Sequence, residues 1–156
     1  MKTLNQWLDE YGVSHQNRTN KIIHWICVPF IMFTVIGLLW AIPTNPEWGL
    51  AGNPGIWAMV LANLYYLILS PLVFLLMVVQ SLIMVFILQS MTAAGLPVAM
   101  ICAIGFVLAW ILQFIGHNIE GKKPSFIKDV QFLLIGPAWV SVALLKKLKL
   151  APSSLR

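Results

Sequence analysis

Ile56-Trp-Ala-Met-Val60-Leu-Ala-Asn63-Leu-Tyr65-Tyr66-Leu-Ile-Leu-Ser70-Pro71-Leu-Val-Phe-Leu-Leu-Met-Val-Val-Gln80-Ser-Leu-Ile-Met-Val-Phe-Ile-Leu-Gln89-Ser90 is apolar almost without interruption. A helix needs about 20 apolar residues to cross a hydrocarbon core, so this stretch is too long for one ordinary span. Ser70-Pro71 divides it. The residue before a proline avoids the helical region, and proline itself suits a helix start. The stretch is therefore predicted to be a pair of helices, about 56–70 and 72–90, and how it divides decides how often the chain crosses a membrane.

The flanking sequence has the same character. Ile22–Ile42 is a first span, with Pro29 inside it, and Pro97–Gly116 leads a further span that ends near His117. Of the 156 residues, 60% are hydrophobic and 10% charged, and the mean hydropathy is +0.85. Soluble domains carry about 25% charged residues, so composition alone places this chain in a membrane, as a single domain. The first twenty residues are polar and of mixed charge, without the apolar core of a cleavable signal. Cys27 and Cys102 lie in separate apolar runs and read as small packing residues.

Charge tests the number of spans. The ten basic residues give a net charge of +5 and flank the apolar runs, which is the pattern of membrane orientation and excludes nucleic acid as a partner. Lys2, Arg18 and Lys21 precede the first span, and Lys122, Lys123 and Lys128 follow the span that ends near 117. The loops at 43–55 and 91–96 contain neither lysine nor arginine. Four spans (about 22–42, 56–70, 72–90 and 97–117) put both basic groups on the cytoplasmic side; three spans would separate them. The last apolar segment, 130–145, carries Gly136-Pro137 near its centre and Lys146, Lys147 and Lys149 behind it. A re-entrant or interfacial helical hairpin bent at Gly136-Pro137 keeps that tail inside. The expected fold is thus all-α, with four transmembrane helices, a C-terminal hairpin and a short N-terminal amphipathic helix over 3–11. In that first helix Thr3 and Gln6 match a capping box, Leu4, Trp7, Leu8 and Tyr11 share a face, and Gly12 is the stop. Ser14 is placed to cap the segment that follows.

Against this background Gln113, His117 and Glu120 stand out. Their i+4 and i+3 spacings set amide, imidazole and carboxylate on one helix face at a membrane boundary, where ionisable groups are costly unless paired or functional. The four-span count brings His15 and His24 to the same side. Three imidazoles without a thiolate suit a first-row ion such as Fe(II) or Zn(II). Geometry sets a condition on this. Nine residues of continuous helix would separate His15 from His24 by roughly 13 Å. The chain must therefore bend, and Asn17-Arg-Thr-Asn20 is the expected place. Glu120 can instead orient His117 or pair with Lys123. Arg18 and Lys21 can hold a substrate carboxylate, whereas Asn63, Tyr65, Tyr66, Gln80 and Gln89 read as interhelical hydrogen-bond partners.

Three motifs together carry a resemblance. His15-x4-Asn20-x3-His24 with Val28-Pro29 is the first. Gln113-Phe-Ile-Gly-His117, with Glu120 before Lys122-Lys123 and Pro124, is the second, and Gln131-Phe-Leu-Leu-Ile-Gly136-Pro137 is the third. From about Tyr11 to Pro137 the chain resembles the 2-hydroxy fatty acid dioxygenases, small multi-span membrane proteins. The resemblance implies an Fe(II)-dependent dioxygenase that shortens a 2-hydroxy long-chain fatty acid by one carbon, using O2. It implies His15, His24 and His117 as metal ligands. Glu120, Gln113 and Asn20 are then the catalytic candidates, with Arg18 and Lys21 for substrate binding. A bacterial member would sit in the inner membrane; fungal relatives act at the endoplasmic reticulum. Two other readings stay open: a zinc-dependent lipid hydrolase with Glu120 as general base, and a non-enzymatic lipid-binding membrane protein. The sequence leaves the oligomeric state open.

Overall fold

In the computed structural model, residues 2–124, 131–152 and 155 are described. Ser125, Lys128 and Val130, at which the basic turn and the last apolar segment were expected, lie outside them. The described residues form six α-helices and no strand: α1 (Leu4–Gly12), α2 (Arg18–Trp40), α3 (Pro54–Leu69), α4 (Pro71–Ala93), α5 (Val98–Glu120) and α6 (Phe132–Lys147). A 3₁₀ segment, Pro46–Gly52, precedes α3. Two compact units are present. One comprises Met1–Pro29 with Ala109–Arg156, the other Phe30–Leu108.

In the first unit, α1 begins with the expected capping box: the Gln6 amide donates to the Thr3 hydroxyl, and the Thr3 amide donates to the Gln6 side chain at 2.9 Å. Nine residues are too few for an isolated helix to persist in water, so packing must hold it. Leu4, Trp7, Leu8 and Tyr11 are all buried. The Trp7 ring meets Phe132 of α6 edge-on at 5.2 Å, and Tyr11 lies 5.4 Å from the Trp139 ring. Burying a side chain of this size contributes about 1.5–3 kcal/mol, which outweighs the weak intrinsic helicity of so short a segment. The apolar face of α1 thus packs against α6.

The expected hairpin at Gly136-Pro137 does not form; α6 runs unbroken from Phe132 to Lys147 with Pro137 inside it. Pro137 lies in the second turn, where its missing N–H deprives only the Leu133 carbonyl of a partner. Gly136 serves contact rather than bending. A β-carbon there would stand 3.1 Å from the Tyr11 hydroxyl and 3.3 Å from Val28, so its absence lets α6 approach both.

In the second unit the division at Ser70-Pro71 is as expected. Ser70 is extended (φ −168°, ψ 126°) and its hydroxyl accepts the Val73 amide. The chain reverses there, and α3 packs back along α4. Asn63 joins the two by donating to the Met59 carbonyl at 2.8 Å and to the Ser81 hydroxyl at 2.9 Å. Ile36, Met59, Met84, Leu88, Val98 and Cys102 form the buried core.

Helices α2, α4 and α5 are each 23 residues long and apolar enough to cross a membrane. At about 1.5 Å per residue each reaches about 34 Å. The fourth expected span, α3, has only 16 residues, or about 24 Å. Many large apolar side chains face outward, including Ile26, Leu61, Ile68, Leu82 and Phe86. Such a surface suits lipid.

Helices α2 and α5 approach closely and run antiparallel. The space beside Gly116 is filled by Asn20, that beside Gly105 by Phe30 and Thr34, and that beside Gly37 by Cys102. Small residues at such positions let helix backbones come together where no hydrophobic force between helices is available. A Gly37→Ala methyl would collide with the fully buried Cys102 sulfur. Overpacking of this kind costs about 1–3 kcal/mol. Gly37→Ala should lower the thermal unfolding midpoint in detergent, and Gly37→Ala combined with Cys102→Gly should recover most of the loss.

Candidate metal centre

The chain leaves α1 at Gly12, turns through 13–17 and enters α2 at Arg18. This turn supplies the bend that His15 and His24 require. It comes earlier than the expected 17–20, because the Asn17 side chain already caps α2 by accepting the Thr19 amide at 2.8 Å and the Asn20 amide at 3.4 Å. Ser14 does not cap α2 as expected; its hydroxyl donates to the Tyr11 carbonyl at 3.3 Å. With the chain turned back, the His15 and His24 rings lie 4.2 Å apart, and His117 from α5 stands 5.1 and 4.7 Å from them. All three histidines are at most 5% exposed.

Hydrogen bonds to backbone carbonyls fix how two of these rings, His15 and His24, are presented, whereas His117 Nδ1 is buried without a hydrogen-bond partner. His15 Nδ1 lies 2.6 Å from the Tyr11 carbonyl and His24 Nδ1 lies 3.0 Å from the Asn20 carbonyl, each four residues back. A carbonyl only accepts, so in both rings Nδ1 carries the proton and Nε2 keeps its lone pair. His15 Nε2 is buried with no hydrogen-bond partner, and His24 Nε2 is 3.2 Å from His117 Nε2. One potential ligand atom from each histidine falls within 4.8 Å of the others.

Burial pushes His15 down from 6.5 to about 4; the neighbouring His117 imidazole adds to this, while the bond to the Tyr11 carbonyl opposes it. His15 is therefore neutral near pH 7 and offers its lone pair without first losing a proton. Its ring stacks on Tyr11 with centroids 4.2 Å apart and planes 10° from parallel, and it faces Trp139 at 5.3 Å. Burial also pushes the Tyr11 hydroxyl up.

Asn20, fully buried, joins the parts. Its backbone carbonyl holds His24, and its side-chain amide donates to the Ser14 carbonyl at 3.1 Å and to Glu120 at 3.2 Å. Gln113, buried one turn before His117, reaches His24 with its side chain. Glu120 stands apart from the imidazole cluster. One carboxylate oxygen accepts the Gln16 amide at 2.8 Å, and the other accepts the Asn17 amide at 2.7 Å. Lys122 donates to the Val13 carbonyl at 2.7 Å. Arg18 is exposed at the start of α2, whereas Lys21 is half-buried and close enough to His15 to act on its charge.

The structure thus brings His15, His24, His117, Asn20, Gln113 and Glu120 into one neighbourhood. It adds Tyr11, Trp139 and Gly116, which the sequence reading did not select. Tyr11 had a signal, its i−4 spacing from His15; Trp139 had none.

The donor set fits a first-row divalent metal ion. Two nitrogens bound to one such ion at about 2.1 Å stand roughly 3.0–3.4 Å apart, the range in which the His24 and His117 Nε2 atoms already lie. Anchoring Nδ1 on a carbonyl is the usual means of orienting a metal-binding imidazole. A buried nitrogen lone pair without a donor, as at His15, is costly unless something occupies it.

Comparison with known proteins assigns the chain to a family. A family model described as Mpo1-like, 2-hydroxy-palmitic acid dioxygenase Mpo1-like, matches residues 1–148. The 2-hydroxy-palmitic acid dioxygenase MPO1 of Saccharomyces cerevisiae is 27% identical over 154 residues, covering 96% of this chain and 83% of the relative. No solved structure matches.

Three outcomes are expected. In metal-free protein an unfolded histidine protonates near 6.5, whereas His15 resists until about 4. Between those values the unfolded chain holds more protons, so stability is full above pH 6.5 and falls as the pH drops toward 4. His15→Gln should remove this part of the pH dependence, up to about 3 kcal/mol, in denaturation curves measured across that range. Gly116→Ala places a methyl against the buried Asn20 amide and should cost about 1–3 kcal/mol by thermal unfolding. Ile119→Ala, at an exposed position, should change stability by no more than about 0.5 kcal/mol.

Proposed function

The chain belongs to the Mpo1-like family, and from that premise we propose that it is an Fe(II)-dependent dioxygenase that shortens 2-hydroxy fatty acids by one carbon at the membrane interface. The observation that carries the reading is the convergence of three buried imidazoles, one with an unpartnered Nε2. His15, His24 and His117 hold the metal, and Asn20 and Gln113 orient His24. Bound Fe(II) supplies the redox chemistry with dioxygen that an all-protein site of neutral histidines lacks.

The protein's own contribution is position and exclusion of water. The His15 and His24 rings are fixed by backbone carbonyls, and His15 is enclosed by Tyr11 and Trp139. Lys21, half-buried beside the cluster, receives the substrate carboxylate, and Arg18 attracts it from solvent. The alkyl tail lies along the outward apolar faces or in the lipid.

The proposed topology has four crossings, α3 and α4 completing the pair between α2 and α5. The antiparallel pairing of α2 with α5 supports it: two spanning helices of opposite direction need an even number of crossings between them. If α4 alone crossed there, α2 and α5 would be parallel. Lys2, Arg18, Lys21, Lys122 and Lys123 then share the cytoplasmic side with the metal centre.

The zinc hydrolase reading is less well served. The Glu120 carboxylate accepts N–H bonds from Gln16, Asn17 and Asn20, and taking up a proton as general base would set it against these bonds. The test is aerobic incubation with Fe(II) and a 2-hydroxy long-chain acid, followed by mass analysis. The expected product is one carbon shorter and requires oxygen, and His24→Ala or His117→Ala should lower turnover by at least about 100-fold, beyond the range of second-shell losses. Zinc with oxygen-independent hydrolysis, or full turnover in the triple histidine variant, would overturn the proposal.

A further inference from the structure

Three groups outside the imidazole cluster converge on the turn that carries His15, and Glu120 is the only charged one that binds it at two backbone positions among the described residues. Glu120 closes α5, a hundred residues further along the chain. Its two oxygens take the amides of Gln16 and Asn17, the two residues directly after His15, at 2.8 and 2.7 Å. One oxygen also receives the Asn20 side chain at 3.2 Å. These amides stand at the N-terminus of α2, where N–H groups lack partners within the helix and the helix dipole favours negative charge. A carboxylate is the side chain suited to this place, because it offers acceptors on both oxygens and no donor.

We propose that Glu120 is a positioning residue for the metal centre, whose carboxylate clamps the 16–17 backbone and thereby sets His15 against His24 and His117. Besides the contact of its ring with His117, His15 depends on Glu120 for its tie to α5: its own ring bond is to Tyr11, within the preceding helix. Without the clamp, α1 and the turn would hold His15 only from its N-terminal side. His24 depends on Asn20 within α2 itself and is anchored independently. Loss of the carboxylate should therefore free one ligand and leave the other two in place. Glutamine at 120 keeps the length but presents an NH2 group to a backbone N–H. Aspartate keeps the charge but draws the carboxylate back by one methylene.

The metal-binding consequence rests on the metal-centre reading; the positioning of the ring does not, so the test reads both. The chain contains three histidines, so ¹⁵N imidazole resonances of metal-free protein in lipid nanodiscs can be assigned with His→Ala variants. In Glu120→Gln the His15 ring resonances should shift as the ring moves against His24 and His117, with Nδ1–H still held by the Tyr11 carbonyl, while those of His24 stay within experimental error. Co(II) titration of the same samples should show affinity about tenfold weaker. Adding Glu120→Gln to His15→Ala should change Co(II) affinity less than about twofold, because Glu120 acts through His15. Unchanged His15 signals, equal movement of His24, or an additive double variant would each overturn the proposal. Should Glu120→Gln not yield folded protein, Glu120→Asp decides, a smaller His15 shift supporting the proposal and no shift overturning it. A wild type that binds no Co(II) would defeat the metal-centre reading alone, leaving the His15 resonances to decide the role of Glu120.

Discussion

The contact of the Asn20 side chain with Gly116 is the constraint on which the centre depends. Asn20 is fully buried, and its amide occupies the space that any side chain at 116 would fill. This lets the start of α2 and the end of α5 approach until His24 and His117 present their Nε2 atoms 3.2 Å apart. The same residue holds His24 through its backbone carbonyl and the His15 turn through its amide. One polar side chain thus couples helix packing to the placement of two imidazoles. An unpaired amide at such depth is costly; its nitrogen donates to Ser14 and Glu120, while its Oδ1, against Gly116, is buried without a hydrogen-bond partner.

The two histidine anchors show how a nearly apolar chain can hold imidazoles in a defined state. Each Nδ1 bonds a carbonyl four residues back, so a local helical spacing sets the tautomer without any charged partner. In a low-dielectric setting this matters, because neutral rings avoid the cost of buried charge. Burial then works for the site, keeping His15 neutral and its lone pair available.

Much of this was legible in the sequence. The apolar stretch over 56–90 divides at Ser70-Pro71 as its residues require, since proline has no N–H to continue a helix and serine can cap the next one. Charge and apolar runs, read as four spans, put His15, His24 and His117 together, and the three rings do converge. Other features depended on contacts remote in the chain. Gly136-Pro137 reads as a bend, yet Gly136 is set by Tyr11 and Val28, which no local pattern reveals. The role of Ser14 was displaced by Asn17, both being good caps separated by three residues. Glu120 was visible as one of a polar trio, but its partners are backbone amides of 16 and 17, and backbone groups leave no mark in sequence.

The central claim is that three imidazoles converge on one metal ion. X-ray absorption at the iron edge, on protein loaded anaerobically with one equivalent of Fe(II), tests it most directly. The account predicts three imidazole ligands at about 2.1 Å and the loss of one in His15→Ala. A spectrum without imidazole scattering, or one that is the same in wild type and in the triple His15, His24 and His117 to alanine variant, would contradict it.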